Sequence, residues 1–176
     1  MITLTEKPPV AQDLPKAIVD CLSRLDVWEL KKLLPAGIAY HQDLDKQAFV
    51  DALFDLTDRF ADMGDTALEV YVGSCQGCFA REQPRLFVLV GNNSKAGVGM
   101  YFTDTEGKLS KVGFCRYANY NMNSKRCDPV LYLNADKGAS PFWQLTPYVE
   151  RIKPPQPRVI PKVPRTPPGF GESPKG

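Results

Sequence analysis

A proline-rich run closes this chain and limits what its last part can fold into. Eight of the sixteen prolines lie between Lys153 and Gly176. Because proline lacks an amide hydrogen and has a fixed φ, such a run cannot belong to a packed core, and extended polyproline II is its expected conformation. Five basic residues against one acidic residue give it a charge of +4, which leaves 17 basic and 19 acidic residues, or −2, elsewhere. The sequence therefore predicts a compact body followed by a basic arm.

The body has the size of one domain. After an N-terminal extension over residues 1–12, residues 13–152 are enough to bury a single core, and the arm covers 153–176. No apolar run approaches the roughly 18 residues that cross a bilayer, and no secretory signal pattern is found, so a membrane location is not expected. Five cysteines, an odd number, are typical of reduced thiols. These features predict a cytoplasmic protein.

Helical periodicity organises the first part of the body. Asp13 is suited to cap a helix over about 14–25, and Asp26 is suited to cap a short second helix. Either Asp43 or Asp45 is expected to cap a third, which follows a short strand. This third helix has the clearest pattern, because its apolar residues recur on one face. They are Phe49, Leu53, Leu56 and Phe60.

After Gly64 the hydrophobic period changes from that of a helix to that of a strand. Four strands of an antiparallel meander are predicted, at about 68–72, 85–91, 98–103 and 109–115. Beyond them the pattern indicates a loop, a short strand near 130–133 and a connector from Pro141 to Ile152. The expected fold class is α+β, with N-terminal helices packed on a curved antiparallel meander sheet and an extended proline-rich C-terminal arm.

This order of elements resembles the nuclear-transport-factor-2-like superfamily. The resemblance is carried by DLDKQAFVDALFDL as the long helix and by TDTEGKLSKVGF as the last hairpin. It implies a cone-shaped domain whose sheet curls around the long helix. Members of the superfamily include isomerase-like and dehydratase-like enzymes, small-ligand binders and domains that only mediate association, so the resemblance implies a fold more than an activity. The CQGCFAREQP insertion and the long C-terminal addition depart from the family pattern.

An enzyme or binder of this family would use the interior of the cone. His41 is the only histidine, and with Tyr40 and Asp43 it is a candidate for acid–base chemistry near neutral pH. The alternative is a surface or capping histidine with no chemical role. A ligand pocket has its own candidates, which are equally compatible with plain core positions. They are Trp28, Phe54, Tyr71, Met100 and Phe102.

Cys75 and Cys78 form a CxxC pair, which is half of a tetrathiolate zinc pattern. Cys115 and Cys127 would complete the set by spacing. In an up-and-down meander, however, Cys75 and Cys115 end strands at opposite edges, roughly 20 Å apart on strand geometry. Neither a metal nor another cofactor is therefore expected. A zinc-stapled domain and a redox-active CxxC remain alternatives.

The loop after the last meander strand combines basic, aromatic and asparagine side chains, a combination that also occurs in nucleic-acid binding. Its candidates are Arg116, Tyr117, Tyr120, Lys125 and Arg126. Because the body carries a net charge of −2, nucleic acid is not expected as a partner. The glycine-rich GNNSKAG segment lacks the phosphate-loop pattern and indicates a hairpin turn.

Together these features predict a non-enzymatic interaction or assembly module. A protein partner is expected to bind its sheet face and its arm, and a homodimer through the sheet is an alternative form of the same function. The arm presents overlapping PxxP spacing beside a basic residue, which suits an aromatic-lined groove with an acidic rim. The expected partner-binding residues are Pro161, Pro164, Arg165, Pro167 and Pro168. A small-molecule enzyme or binder and a zinc-stapled domain are the rival functions.

Overall fold

The computed structural model describes residues 13–75, 85–119, 127–135 and 140–147. Its helices are α1 (Leu14–Ser23), α2 (Val27–Leu33) and α3 (Lys46–Asp62). The strands are β1 (Ala39–Tyr40), β2 (Leu68–Val72), β3 (Ser74–Cys75), β4 (Arg85–Gly91), β5 (Gly97–Thr105), β6 (Lys108–Cys115), β7 (Ala118–Asn119), β8 (Val130–Asn134) and β9 (Phe142–Thr146). The helices precede a mixed sheet, which confirms the α+β class. No described helix has both the length and the hydrophobicity needed to cross a membrane.

The helix ends follow the predicted capping residues. The carboxylates of Asp13 and Asp26 accept the backbone N–H three residues ahead at the starts of α1 and α2. For α3 the cap is Asp45, which accepts the N–H of Ala48 at 2.8 Å. Gly64 follows α3 with a φ of +83°, a conformation that favours glycine and ends the helix.

α3 is the centre of the main core. Its predicted stripe of four apolar residues is fully buried against the sheet and the other helices. Met100 and Phe102 of β5 face the same core from the sheet side. Trp143 of β9 packs into the same core. Its indole Nε1–H donates a hydrogen bond to the Ala52 carbonyl of α3 at 2.9 Å.

The described sheet contains the predicted meander with three further strands, none of which lies beyond β2. Strands β2, β4, β5 and β6 are antiparallel neighbours in the order β6-β5-β4-β2. β1 adds to β6 in parallel, and β8 adds to β5 in parallel and carries β9. Since β4 pairs one edge of β5, both β6 and β8 pair the other edge, β8 at Gly97 and Val98 and β6 from Gly99 onward. Strands β6 and β8 therefore diverge from a common neighbour.

Two segments differ from the sequence-based expectation. Phe142–Thr146 was predicted as part of a connector, and it forms β9 instead. Ala118–Asn119 was predicted as loop, and it pairs with Ser74–Cys75 as a small two-stranded sheet. Both elements are short and depend on partners distant in sequence, so local periodicity does not reveal them.

The predicted hairpin turn between β4 and β5 is held by a buried carboxylate. Asp65, which is 3% exposed, accepts hydrogen bonds from the backbone N–H groups of Asn93 and Ser94 at 2.7 and 2.8 Å. The Ser94 hydroxyl donates to its second oxygen at 2.6 Å. The segment that follows α3 is thereby tied to the turn between β4 and β5.

Candidate functional site

His41 is buried and both of its ring nitrogens are hydrogen-bonded. The backbone N–H of Phe114 in β6 donates to Nδ1 at 3.1 Å. Because a backbone N–H can only donate, Nδ1 is the acceptor, and the ring proton lies on Nε2, 2.8 Å from the Leu133 carbonyl of β8. The imidazole therefore bridges the two strands at the point where they diverge.

The surroundings of His41 favour its neutral form. Burial lowers the pKa of the imidazole below its ordinary value of 6.5, although its bond to the Leu133 carbonyl acts in the opposite direction. Protonation at Nδ1 would place a second N–H against that of Phe114. The rings of Phe114 and Tyr132 pack edge-on against it, with centroids at 5.4 and 5.3 Å. His41 is therefore a buried core histidine with both ring nitrogens hydrogen-bonded, and it connects three segments of the chain.

The other two acid–base candidates are held separately from His41. Tyr40 is 3% exposed, its hydroxyl donates to the Pro35 carbonyl, and burial raises its pKa. Asp43 is exposed, and its φ of +61° places it in a tight turn after His41. Among the described residues, no hydrogen bond joins either side chain to the imidazole. The three residues are neighbours in sequence without forming a shared site.

The five pocket candidates lie in three different places. Met100 and Phe102 are at most 1% exposed and fill the main core. Tyr71 packs on the opposite face of the sheet, in a second apolar cluster. Trp28 is 70% exposed and contacts Phe54 edge-on, with ring centroids 5.0 Å apart. The structure therefore gathers two aromatic residues at the surface rather than five around one cavity.

A surface cleft of about 620 Å³ lies where α1 begins beside β4. At its edge the guanidinium of Arg85 donates two hydrogen bonds, at 2.9 and 2.7 Å, to the Asp13 carboxylate. Arg85 lowers the pKa of Asp13 through these bonds. Asp13 was predicted only as a helix cap, and its second role depends on a residue 72 positions away. The remaining lining mixes apolar and charged side chains: Leu14, Pro15, Pro35, Ala36, Ile38, Asp104, Gly107, Lys108 and Leu109.

The cysteines lie closer together than the sequence predicted. Cys75 is aligned with Ala118 in the small sheet, and it packs against a cluster on the back of the main sheet that contains Cys115 and Cys127. The expected separation of Cys75 and Cys115 at opposite edges is therefore wrong, because β3 and β7 fold across that back face. Cys78 lies outside the described residues. Within the part of the chain that is described, no three His, Cys, Asp or Glu side chains are placed to hold a metal ion.

Glycines in β5 make room for this back cluster. A Cβ on Gly99 would lie 2.2 Å from the Ala118 side chain, and one on Gly97 would lie 2.6 Å from that of Cys127. Both approaches are too close for any residue with a side chain. In the alternating glycines of GVGMY, Gly97 was predicted as part of a turn and Gly99 as a strand residue. Both therefore mark where a second layer covers the sheet.

The basic loop is only partly described, and the arm lies outside the described residues. Arg116 donates to the Gln144 side chain at 3.0 Å and lies over the Tyr132 ring at 5.4 Å, so it is engaged within the fold. Tyr117 is 39% exposed. Several predicted residues lie outside the described ranges: Tyr120, Lys125, Arg126, Pro161, Pro164, Arg165, Pro167 and Pro168.

Exposed apolar side chains are a feature that the sequence pattern missed. On β2, Val70 is 41% exposed and Val72 is 80% exposed, although both lie on the same face of the strand as the buried Leu68. Exposure on this face increases from Leu68, at 5%, to Val72, so the packing does not extend along the whole strand. Phe142 and Leu145 of β9 are exposed as well, by 49% and 53%.

Comparisons of the chain with protein-family models, with curated proteins and with solved structures found no match. The resemblance to the nuclear-transport-factor-2-like superfamily therefore stays a prediction, and the fold described above is the basis for functional inference.

Proposed function

We propose that this protein is a non-enzymatic interaction module that binds a protein partner through the open edge of its sheet. The observation that carries the proposal is the exposure of Val70 and Val72 on β2, the last strand on its side of the described sheet. Exposed β-branched residues on an edge strand favour pairing with another extended segment.

The backbone of β2 supports the same proposal. The Gly73 N–H donates to Leu86 and the Asn92 N–H donates to Ala67, at 2.8 and 3.1 Å. Because hydrogen-bonded pairs alternate in an antiparallel ladder, the backbone groups of Val70 and Val72 point away from β4. A partner strand, either from another protein or from β2 of a second copy, finds both backbone groups and apolar side chains along this edge.

The hydrogen bonds of His41 and Tyr40 favour this proposal over a small-molecule isomerase or dehydratase. The ring nitrogens of His41 and the hydroxyl of Tyr40 are committed to backbone groups inside the fold. Catalysis by either residue would require breaking these buried bonds. A cytoplasmic location belongs to the proposal too, because an odd number of cysteines fits a reducing compartment.

A lysine substitution on the edge strand tests this proposal. Val72→Lys places a charge on an 80% exposed side chain, so the melting temperature should be unchanged. Partner binding should weaken about tenfold, corresponding to ~1.4 kcal/mol. Quantitative affinity capture from native lysate measures a second protein as partner, and light scattering on a size-exclusion column measures self-association.

Leu145→Lys is the matched control, because Leu145 is similarly apolar and 53% exposed but lies on β9 at the other end of the sheet. Equal binding by wild type and both variants would contradict the proposal. Equal loss in both variants would show that surface charge, rather than the β2 edge, matters.

A further inference from the structure

An aromatic pair stands at the surface between α2 and α3. Trp28 is 70% exposed, the largest apolar side chain among the described residues to be so open to solvent. Its only described ring contact is with Phe54, at 5.0 Å. An indole held upright against a second ring presents a flat apolar surface of the kind that receives proline side chains.

An acidic stripe runs beside this aromatic pair. Asp51 and Asp58 lie three residues before and four residues after Phe54 on α3, which places them next to it on the helix surface. Asp55 and Asp62 continue the stripe, and all four carboxylates are exposed. One of them, Asp55, is paired with Arg59 at 3.6 Å. Near Trp28 itself, Lys32 is paired with Glu29 at 2.8 Å.

The chain that follows β9 is long enough to reach this surface. The bond from Trp143 to Ala52 holds β9 against α3. Ala52 and Phe54 lie about 200° apart around the helix, so the acidic stripe separates β9 from Trp28. Pro161 follows Thr146, the last residue of β9, by 15 positions. At about 3.1 Å per residue, an extended segment of this length spans roughly 45 Å, several times the ~10 Å width of a helix.

The chemistry of the arm matches that of the surface. Its net charge is +4, and its PKVPRTPP segment combines PxxP spacing with Lys162 and Arg165. A polyproline II segment loses little conformational entropy when it binds, and its flanking cations gain from nearby carboxylates. The surface thus offers the two features that such a segment requires, an aromatic platform and an acidic rim.

We propose that residues 161–168 of the arm bind in cis to the Trp28–Phe54 surface of the same chain, with Lys162 and Arg165 facing the acidic stripe of α3. The tether favours this intramolecular site over an external ligand, because a short linker keeps the arm at an effective concentration of about millimolar. This inference is independent of the β2 edge. It names the arm as the occupant of this surface.

Limited trypsin digestion of the full chain, followed by mass spectrometry, tests the proposal. Cleavage after Arg158, Lys162 and Arg165 reports how often the arm is released, because proteolysis tracks the population of the open state. Trp28→Ala should accelerate these cleavages about tenfold, whereas Trp28→Phe should keep them slow. Leu145→Ala, which removes apolar surface at another exposed site, should leave them unchanged.

The charges provide a second measurement. Asp51→Asn combined with Asp58→Asn should accelerate cleavage of the arm and remove its salt dependence. Asp20→Asn, an exposed aspartate of α1 that pairs with Arg24, is the matched control. Rapid cleavage in wild type, or cleavage indifferent to both Trp28 and the aspartates, would overturn the proposal. Protection that increases with protein concentration would also overturn it, since the arm would then bind a second copy.

Discussion

The His41 ring forms hydrogen bonds with the backbones of both β6 and β8, where these strands do not pair with each other. Its ring accepts from the N–H of one strand and donates to the carbonyl of the other, so two buried backbone groups gain partners where the sheet divides. Sequence alone suggested a catalytic candidate, because histidine beside tyrosine and aspartate is a common catalytic combination. The bonds instead give this side chain a structural role that depends on its being neutral.

The neutral state of His41 predicts a pH-dependent stability. Its pKa is lower in the folded chain than the ordinary value of 6.5. The stabilising contribution is therefore fully present above pH 6.5 and is lost as the pH falls toward the folded pKa, because the unfolded chain binds the proton more readily. The loss has a limiting slope of about 1.4 kcal/mol per pH unit.

Urea unfolding between pH 7.5 and 5.5 measures this effect. His41→Asn should cost roughly 1–3 kcal/mol at pH 7.5 and show a flatter pH profile. Because His41 is the only histidine, no other imidazole contributes in this range. Parallel profiles for wild type and variant would contradict the assigned state of the ring.

At the scale of elements, α3 shows how much of a helix can be predicted from local sequence. Its apolar stripe, its Asp45 cap and its terminal Gly64 all follow from residues within a few positions of one another. The strands of the meander follow from their period in the same way. β9 and the β3–β7 pair were missed because each is too short for its period to be distinctive.

Leu53→Ala tests the central position of α3. Leu53 is fully buried, so the truncation should lower the free energy of unfolding by roughly 2–5 kcal/mol. Leu145→Ala removes the same atoms from a side chain that is 53% exposed and should have little effect. An unchanged denaturation midpoint for Leu53→Ala would mean that this face of α3 is not in the core.

At the scale of the whole molecule, the sheet has apolar layers on both sides. The helices cover one face, and the small β3–β7 sheet with Cys127 covers part of the other. The proposed binding surfaces lie where this covering ends, at the β2 edge and at the outer side of α2 and α3. The described residues therefore bury apolar side chains on both faces of the sheet and leave others exposed at the β2 edge and on α2.

Gly99→Ala tests the second layer. Its Cβ would lie 2.2 Å from the Ala118 side chain, so β7 must move away from the sheet. We expect a loss of roughly 1–3 kcal/mol and faster hydrogen exchange at Ala118 and Cys75. Exchange rates equal to those of wild type would show that the two layers are not in contact there.

The sequence by itself determined the fold class, the caps of the first two helices, the core stripe and the four meander strands, because these depend on periodicity and on neighbours within one or two turns. Tertiary structure decided what the functional candidates do. His41 bonds to Leu133, 92 positions away, and Arg85 bonds to Asp13 across 72. Such contacts depend on which strands are adjacent and where a layer ends, and a one-dimensional pattern does not specify either.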